Sequence, residues 1–272
     1  MKYGFLGAGN MGGAILRGAL EKGIIEKNNV TALVKTRKSA ELLKNELGIN
    51  ISNSIKELIS FSDCVFLGVK PVIFDEILPE IARELLELNK NDMLFISMAA
   101  GITIEKLENF LGHDSKIIRI MPNTPVAVQE AMTSVSKNKN VTDEEMEKVI
   151  AFFNEIGCAK EVPEDMIHCV IGVSGSSPAY TYLYIDALAE AAVKNGMDKE
   201  NALIFAAQSV LGAAKMVLSG KGSPKELCDN VCCKGGTTIE AVTRLKNNGF
   251  ERLVEEGFQA TVDKSIKMST EK

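Results

Sequence analysis

The chain has 272 residues, 46% of them hydrophobic and 25% charged, with a formal net charge of −5. A mildly acidic balance lacks the basic footprint of a nucleic-acid binder. No apolar run is expected to reach membrane-spanning length, and the length suffices for one large domain or two modest ones with a real core.

The first nine residues resemble a secretory apolar region only superficially, because Gly4, Gly7 and Gly9 interrupt them and no separate cleavage region follows. The expectation is a cytoplasmic protein whose six cysteines are thiols.

In chain order, short apolar runs predict buried strands over Tyr3–Leu6, Val30–Val34, Cys64–Val69, Met93–Ser97 and Ile117–Met121. Helical spacing between them predicts helices over Met11–Lys22, Ser39–Leu47, Val72–Leu88 and Ile104–Leu111. Thr142 and Glu145 have capping-box spacing and open a further helix to about Ile156, with Cys158–Val162 as a last strand. This alternation predicts a doubly wound α/β architecture, a parallel sheet with helices on both faces. After Pro163 the alternation stops. Tyr180–Val193, Glu200–Leu218, Gly236–Lys246 and Glu251–Met268 all carry helical spacing, so the second part is predicted to be all-helical.

Gly7-Ala8-Gly9-Asn10-Met11-Gly12 fits G-x-G-x-x-G between a predicted strand and a predicted helix. That context suits a dinucleotide pyrophosphate, held where the helix offers unpaired N–H groups. The second strand then runs into Lys35-Thr36-Arg37-Lys38, without the acid that would hold an NAD ribose. Arg37 with a neighbouring Lys or Thr suits a 2′-phosphate, so NADPH is expected to be preferred, with NADH possible.

Further along, Gly68-Val69-Lys70-Pro71, Ala99-Ala100-Gly101-Ile102, Arg119–Pro125, Ser174–Tyr180, Gly212–Met216 and Gly235-Gly236-Thr237-Thr238-Ile239 follow in order. With the glycine loop they resemble the pyrroline-5-carboxylate reductase family over nearly the whole chain. The resemblance implies a Rossmann domain over residues 1–162 and a helical substrate-binding and dimerisation domain over 163–272. It implies an enzyme that reduces 1-pyrroline-5-carboxylate to L-proline with NAD(P)H, as the last step of proline biosynthesis, and assembles as a homodimer through the helical domain and as a decamer of dimers. An imine reductase or a β-hydroxyacid dehydrogenase is the alternative with a similar plan. Lys194, Lys199 and Lys215 lack the glycine-rich surroundings of the hydroxyacid enzymes' catalytic lysine.

Carried over by position, the family's cofactor contacts fall on Leu6, Gly7, Ala8, Gly9, Asn10, Met11 and Gly12, and on Lys35, Thr36 and Arg37. They continue on Gly68, Val69, Lys70 and Pro71 and on Met98, Ala99 and Ala100. The substrate contacts fall on Glu164, Asn230, Gly236, Thr237 and Thr238. Thr238 is the family's usual catalytic residue. A threonine hydroxyl is a poor acid, so it reads better as a hydrogen-bonding orienter, and Glu164 as a charge that favours a protonated imine. Without the resemblance, Gly235–Thr238 reads as an ordinary helix start with a threonine cap. Relatives commonly carry Gly where Ser177 stands and Ser-Pro where Cys233-Lys234 stand. Cys228, Cys232 and Cys233 have no second cysteine pair, so no metal site is expected there.

Overall fold

The structure is a computed structural model, and it describes residues 1–270. By packing, the chain divides into two compact units. The first holds Met1–Gly175 together with the C-terminal stretch from Thr261, and the second holds Ser176–Ala260.

In the first unit the elements run β1 (Tyr3–Leu6), α1 (Asn10–Glu21), β2 (Val30–Leu33), α2 (Arg37–Leu47), β3 (Asn50–Ile51), α3 (Ile55–Phe61), β4 (Cys64–Leu67), α4 (Phe74–Glu87), β5 (Leu94–Ser97), α5 (Ile104–Leu111), β6 (Lys116–Met121), β7 (Ala131–Lys137), α6 (Asp143–Asn154), β8 (Gly157–Glu161) and α7 (Ile167–Val170). The eight strands form one sheet in the order β3-β2-β1-β4-β5-β6-β7-β8.

The central strands are apolar on both faces, and the structure buries both. One core packs α1 and α6 side chains such as Leu16 and Phe153 against Phe5, Phe66 and Ile118. The other packs α3, α4 and α5, through Leu58, Leu78 and Leu107, against Val65, Leu67 and Phe95. Helices on both faces are what a largely parallel sheet requires. Phe5 and Phe66 stack across β1 and β4, with centroids 4.6 Å apart and planes 6° from parallel.

Three points differ from the sequence reading. The sheet is not wholly parallel, because β7 runs antiparallel to β6 before β8 pairs parallel to it. β7 itself was not expected. Its sequence, Ala-Met-Thr-Ser-Val-Ser-Lys, mixes small polar residues into the buried face, and Thr133, Ser134 and Ser136 are all buried. β3 and α3 were also not expected. The two-residue β3 is too short to carry a period, whereas α3 is announced by Ser54, whose hydroxyl accepts from the Glu57 amide at 3.2 Å.

The packing boundary falls at Gly175 and not after Val162. The reason lies in bonds made by the intervening segment. Ser174 O accepts from Asn123 Nδ2 at 3.0 Å, Glu164 pairs with Arg119 at 2.8 Å, and Ile167 is buried. The C-terminal stretch also packs with this unit, through a 2.8 Å bond between His168 Nδ1 and Ser265 Oγ.

The second unit holds α8 (Ser177–Lys194), α9 (Lys199–Leu218), α10 (Pro224–Val231), α11 (Thr237–Asn247) and the first part of α12 (Phe250–Thr270). Its only buried apolar cluster is small, built on Ala189, Ala202 and Ala206 between α8 and α9. Leu183, Phe205 and Leu218 stand largely exposed in the single chain. One expectation is corrected here: at 20 residues, Lys199–Leu218 is long and apolar enough to cross a membrane, by length and composition alone.

Candidate active site

The strand order reverses between β1 and β4, and open α/β sheets bind ligands outside the carboxyl ends of their strands at such a point. The structure brings three of the sequence-predicted cofactor segments together there. Gly7 N donates to Leu33 O at 2.9 Å, Gly68 N to Leu6 O at 2.9 Å and Met98 N to Leu67 O at 3.4 Å, so the three loops leave the sheet side by side.

Their closeness depends on glycine. A Cβ on Gly68 would lie 2.6 Å from Gly7 O, and one on Gly12 would lie 2.8 Å from the same oxygen. Gly7 itself has φ +88°, in the region that side chains avoid. Gly12 therefore lets α1 lean on the strand end, and Gly68 lets the loop after β4 pass beside it. A Cβ on Gly9 would meet nothing within 4 Å, so the space above the loop is open. α1 begins at Asn10 with Gly9 as its cap, no side-chain cap bond and no acid in its first turn. An uncapped, acid-free helix start facing open space offers its amides to an anion, which fits a pyrophosphate.

The remaining cofactor candidates divide by what they present. Leu6 and Ala99 are buried in the apolar core, so only their backbone is available. Ala8 and Met11 are half-buried, Asn10 is exposed, and Val69 and Ala100 are half-buried. Lys70 is exposed and extended at φ −66° and ψ 142°, the conformation that the following Pro71 imposes. Met98 Sδ packs 3.5 Å from the position a Gly68 Cβ would take.

At the end of β2, α2 starts at Arg37, two residues before the sequence suggested. Thr36 is its cap, with a hydroxyl that accepts from Ser39 N at 3.2 Å and lies 2.8 Å from Ser39 Oγ. Lys35 is exposed, and Arg37 is 92% exposed, paired with Glu41 at 2.9 Å. An exposed pair of this kind is worth about 0–1 kcal/mol, so Arg37 can turn to a phosphate at little cost.

Glu164, on the first unit, has an internal partner set. Its Oε1 accepts from Arg119 Nη1 at 2.8 Å and from the Ile104 amide at 2.8 Å. A carboxylate paired with a guanidinium has little field left to favour a protonated imine, so the structure turns Glu164 toward its own chain. Asn123 is buried and bridges Ser174 O to the Met132 amide. Neither histidine is offered as a proton donor: His168 bonds Ser265, and the His113 carbonyl accepts from Asn140 in a surface turn.

The other substrate candidates lie in the second unit. α11 starts at Thr237, its cap is Gly236, and no side chain caps it. The threonines are therefore the first two helical residues and not the cap that the sequence allowed. The preceding turn closes through Gly236 N to Cys233 O at 3.0 Å, with Gly235 at φ +75°. A turn with positive φ at its third position calls for glycine. Asn230 is exposed on α10, Thr237 is exposed and Thr238 half-buried. The result is a helix start without a side-chain cap, bearing two hydroxyls.

All six cysteines are free. Desolvation first, and then the neighbouring Cys228, hold the Cys232 thiol above its ordinary value, which makes it a weaker nucleophile. Among the described residues, no three His, Cys, Asp or Glu side chains are placed to hold a metal.

One substitution probes the crossing of the loops. Gly68→Ala forces a methyl against Gly7 O, and overpacking of this order costs about 1–3 kcal/mol. The expected outcome is a weakened dinucleotide titration, measured by nucleotide fluorescence, together with a lowered urea midpoint. Unchanged binding would show that the approach of Gly7 and Gly68 does not shape the cofactor crevice.

Comparison with known proteins agrees with this geometry. Residues 164–268 match a family model described as pyrroline-5-carboxylate reductase dimerisation, and residues 2–101 match one described as NADP oxidoreductase, coenzyme F420-dependent. The chain is 45% identical to the pyrroline-5-carboxylate reductase of Escherichia coli strain K12, over 98% of both chains. It is 37% identical to human pyrroline-5-carboxylate reductase 2, over 96% of this chain and 82% of that protein. Among solved structures, the Plasmodium falciparum pyrroline carboxylate reductase with NADP bound aligns at TM-score 0.88 and 32% identity, over 99% of this chain and 98% of that one. The Coxiella burnetii pyrroline-5-carboxylate reductase aligns at 0.91 and 31%, over 99% of each chain. With an α/β unit that gathers its glycine loops at the switch point, a helical unit that matches the dimerisation model, and relatives this similar end to end, the chain belongs to the pyrroline-5-carboxylate reductase family.

Proposed function

We propose that this chain reduces 1-pyrroline-5-carboxylate to L-proline, the last step of proline biosynthesis, with NADPH as the preferred reductant and NADH as the poorer one. The observation that carries the reading is end-to-end similarity to enzymes of that name, in a chain that keeps an open glycine crevice and an uncapped helix start at Thr237. The P. falciparum relative was solved with NADP bound, and the glycine crevice fits the same group. The cofactor supplies a hydride from its nicotinamide C4 to the imine carbon.

The chain's own residues do the rest. Leu6–Gly12, Gly68–Pro71 and Met98–Ala100 are proposed to hold the dinucleotide, and Lys35, Thr36 and Arg37 its 2′-phosphate. Thr36 takes part mainly by capping α2, since its hydroxyl is already engaged. Asn230, Gly236, Thr237 and Thr238 are proposed to bind substrate. Free amides at the start of α11 suit the carboxylate, an interaction worth about 0.3–1 kcal/mol when exposed and more when partly buried. Thr238 orients the ring nitrogen by hydrogen bonding. The nitrogen's proton arrives with an already protonated imine or through water. In this reading residues 1–162 bind the dinucleotide, and residues 163–272 bind substrate and dimerise.

A homodimer through the helical domain is supported by the dimerisation match and by the exposed Leu183, Phe205 and Leu218. A second copy, rather than lipid, then covers the apolar α9. A decamer of dimers is the larger assembly that the resemblance implies. Cytoplasmic placement is supported by six unpaired thiols.

Three measurements test this. Turnover with 1-pyrroline-5-carboxylate should be more efficient with NADPH than with NADH, and Arg37→Ala should narrow that ratio by about tenfold, the value of one charge-assisted contact. A clear NADH preference in the wild type overturns the assignment to Lys35–Arg37. Thr238→Ala should lower kcat through lost orientation; unchanged turnover would remove Thr238 from the reaction. Alkylation of the exposed Cys233 should inhibit by obstruction and be slowed by bound proline, with Cys233→Ser resistant. Equal rates with and without proline would place Cys233 outside the pocket.

A further inference from the structure

We propose that Arg119 is a positioning residue which, through Glu164, sets the loop Met98–Thr103 that lines the dinucleotide crevice. The inference rests on the reading of Met98–Ala100 as cofactor contacts.

Among the described residues, Arg119 is the largest fully buried side chain, at 2% exposure. On β6 it lies in register with Ser97, the last residue of β5, and with Ser136 of β7. Its Nη1 meets Glu164, while Nε and Nη2 have no hydrogen-bond partner. A buried guanidinium so placed has a single anion to balance it.

The same Glu164 oxygen accepts from the amide of Ile104, the first residue of α5. Thr103 caps that helix by accepting from Lys106 N at 3.1 Å, which leaves the Ile104 amide for another acceptor. A carboxylate at a helix start also suits the helix dipole. Glu164 therefore caps α5 from a distant part of the chain, and Arg119 holds Glu164 in place.

The loop between β5 and α5 is thereby tied at both ends. At its start Ser97 Oγ accepts from Ala99 N at 3.4 Å, on the strand beside Arg119. At its end Ile104 is held by Glu164. Within it, Met98 Sδ lies against Gly68. A shift of α5's first turn would move Ala99 and Ala100 relative to Gly7 and Gly68, and cofactor alignment is sensitive to displacements of about 1 Å. Arg119 does not need to touch the dinucleotide for its loss to be felt there.

The test uses the full-length enzyme and Glu164→Ala, Glu164→Gln, Arg119→Met and the double variant Arg119→Met/Glu164→Ala. Either single loss of the clasp should raise the NADPH Kd about tenfold, the scale of a charged hydrogen bond, with the KM for the imine within about twofold. Glu164→Gln keeps an acceptor for Ile104 and should lose only part of this. The double variant should be no worse than the poorer single, as expected of residues acting as one unit. Hydrogen exchange should speed up over 98–104 and stay unchanged over 236–241. NADPH binding within twofold of wild type in folded Glu164→Ala or Arg119→Met overturns the proposal. So does a raised imine KM at unchanged NADPH affinity, which would return Glu164 to the substrate. Should both singles fail to fold, unaltered NADPH affinity and exchange in Glu164→Gln overturns it. A wild-type enzyme that does not bind NADPH would sink the cofactor reading itself, a result distinct from variants that bind normally.

Discussion

The carbonyl oxygen of Gly7 is the tightest point of the molecule's functional geometry. α1 approaches it through Gly12 from one side, and the loop after β4 through Gly68 from the other. Neither approach leaves room for a methyl group. Because β1 and β4 are the strands at which the order reverses, this double approach sets the width of the crevice where a nucleotide would lie. It also brings the amides at the start of α1 to the crevice mouth with no side chain of their own to cap them. The flanking cores, with Phe5 stacked on Phe66 just beneath, keep the two strand ends in register. The loop after β5 joins the same group through Met98, and its far end is fixed by the ionic clasp of Glu164 and Arg119.

The second unit follows different physics. Its helices bury only a small alanine cluster and leave large aliphatic and aromatic side chains exposed in the single chain. A helical unit with so thin a core of its own is suited to association, and it matches a dimerisation model. Its chemical feature is a helix start at Thr237 left without a side-chain cap, reached by a turn that needs Gly235 in a left-handed conformation. The cysteines beside it are thiols, and their backbone takes part in shaping the turn, the Cys233 carbonyl by accepting from the Gly236 amide.

Much of this was legible in the chain itself. The glycine loop between strand and helix, the basic turn after the second strand and the change of periodicity after Pro163 all depend on local spacing and local charge, which sequence displays directly. β7 and β3 escaped, the first because small polar residues fill a buried face that only neighbouring strands create, the second because two residues cannot express a period. The internal partners of Glu164 were not legible for a related reason. Its partners, Arg119 and the Ile104 amide, lie 45 and 60 positions away.

The sequence by itself therefore determined the two-part architecture, the dinucleotide loop and the absence of an acid at the end of the second strand, since each follows from residues adjacent in the chain. Tertiary structure alone decided which glycines touch, that Thr237 and Thr238 lie inside the helix and not at its cap, that the packing boundary falls at Gly175, and that a buried arginine faces Glu164. The glycine contacts and the Glu164 bonds, the latter at 2.8 Å, join segments that only the folded chain brings together. Excluded volume and the need to pair a buried charge act only once the segments have met.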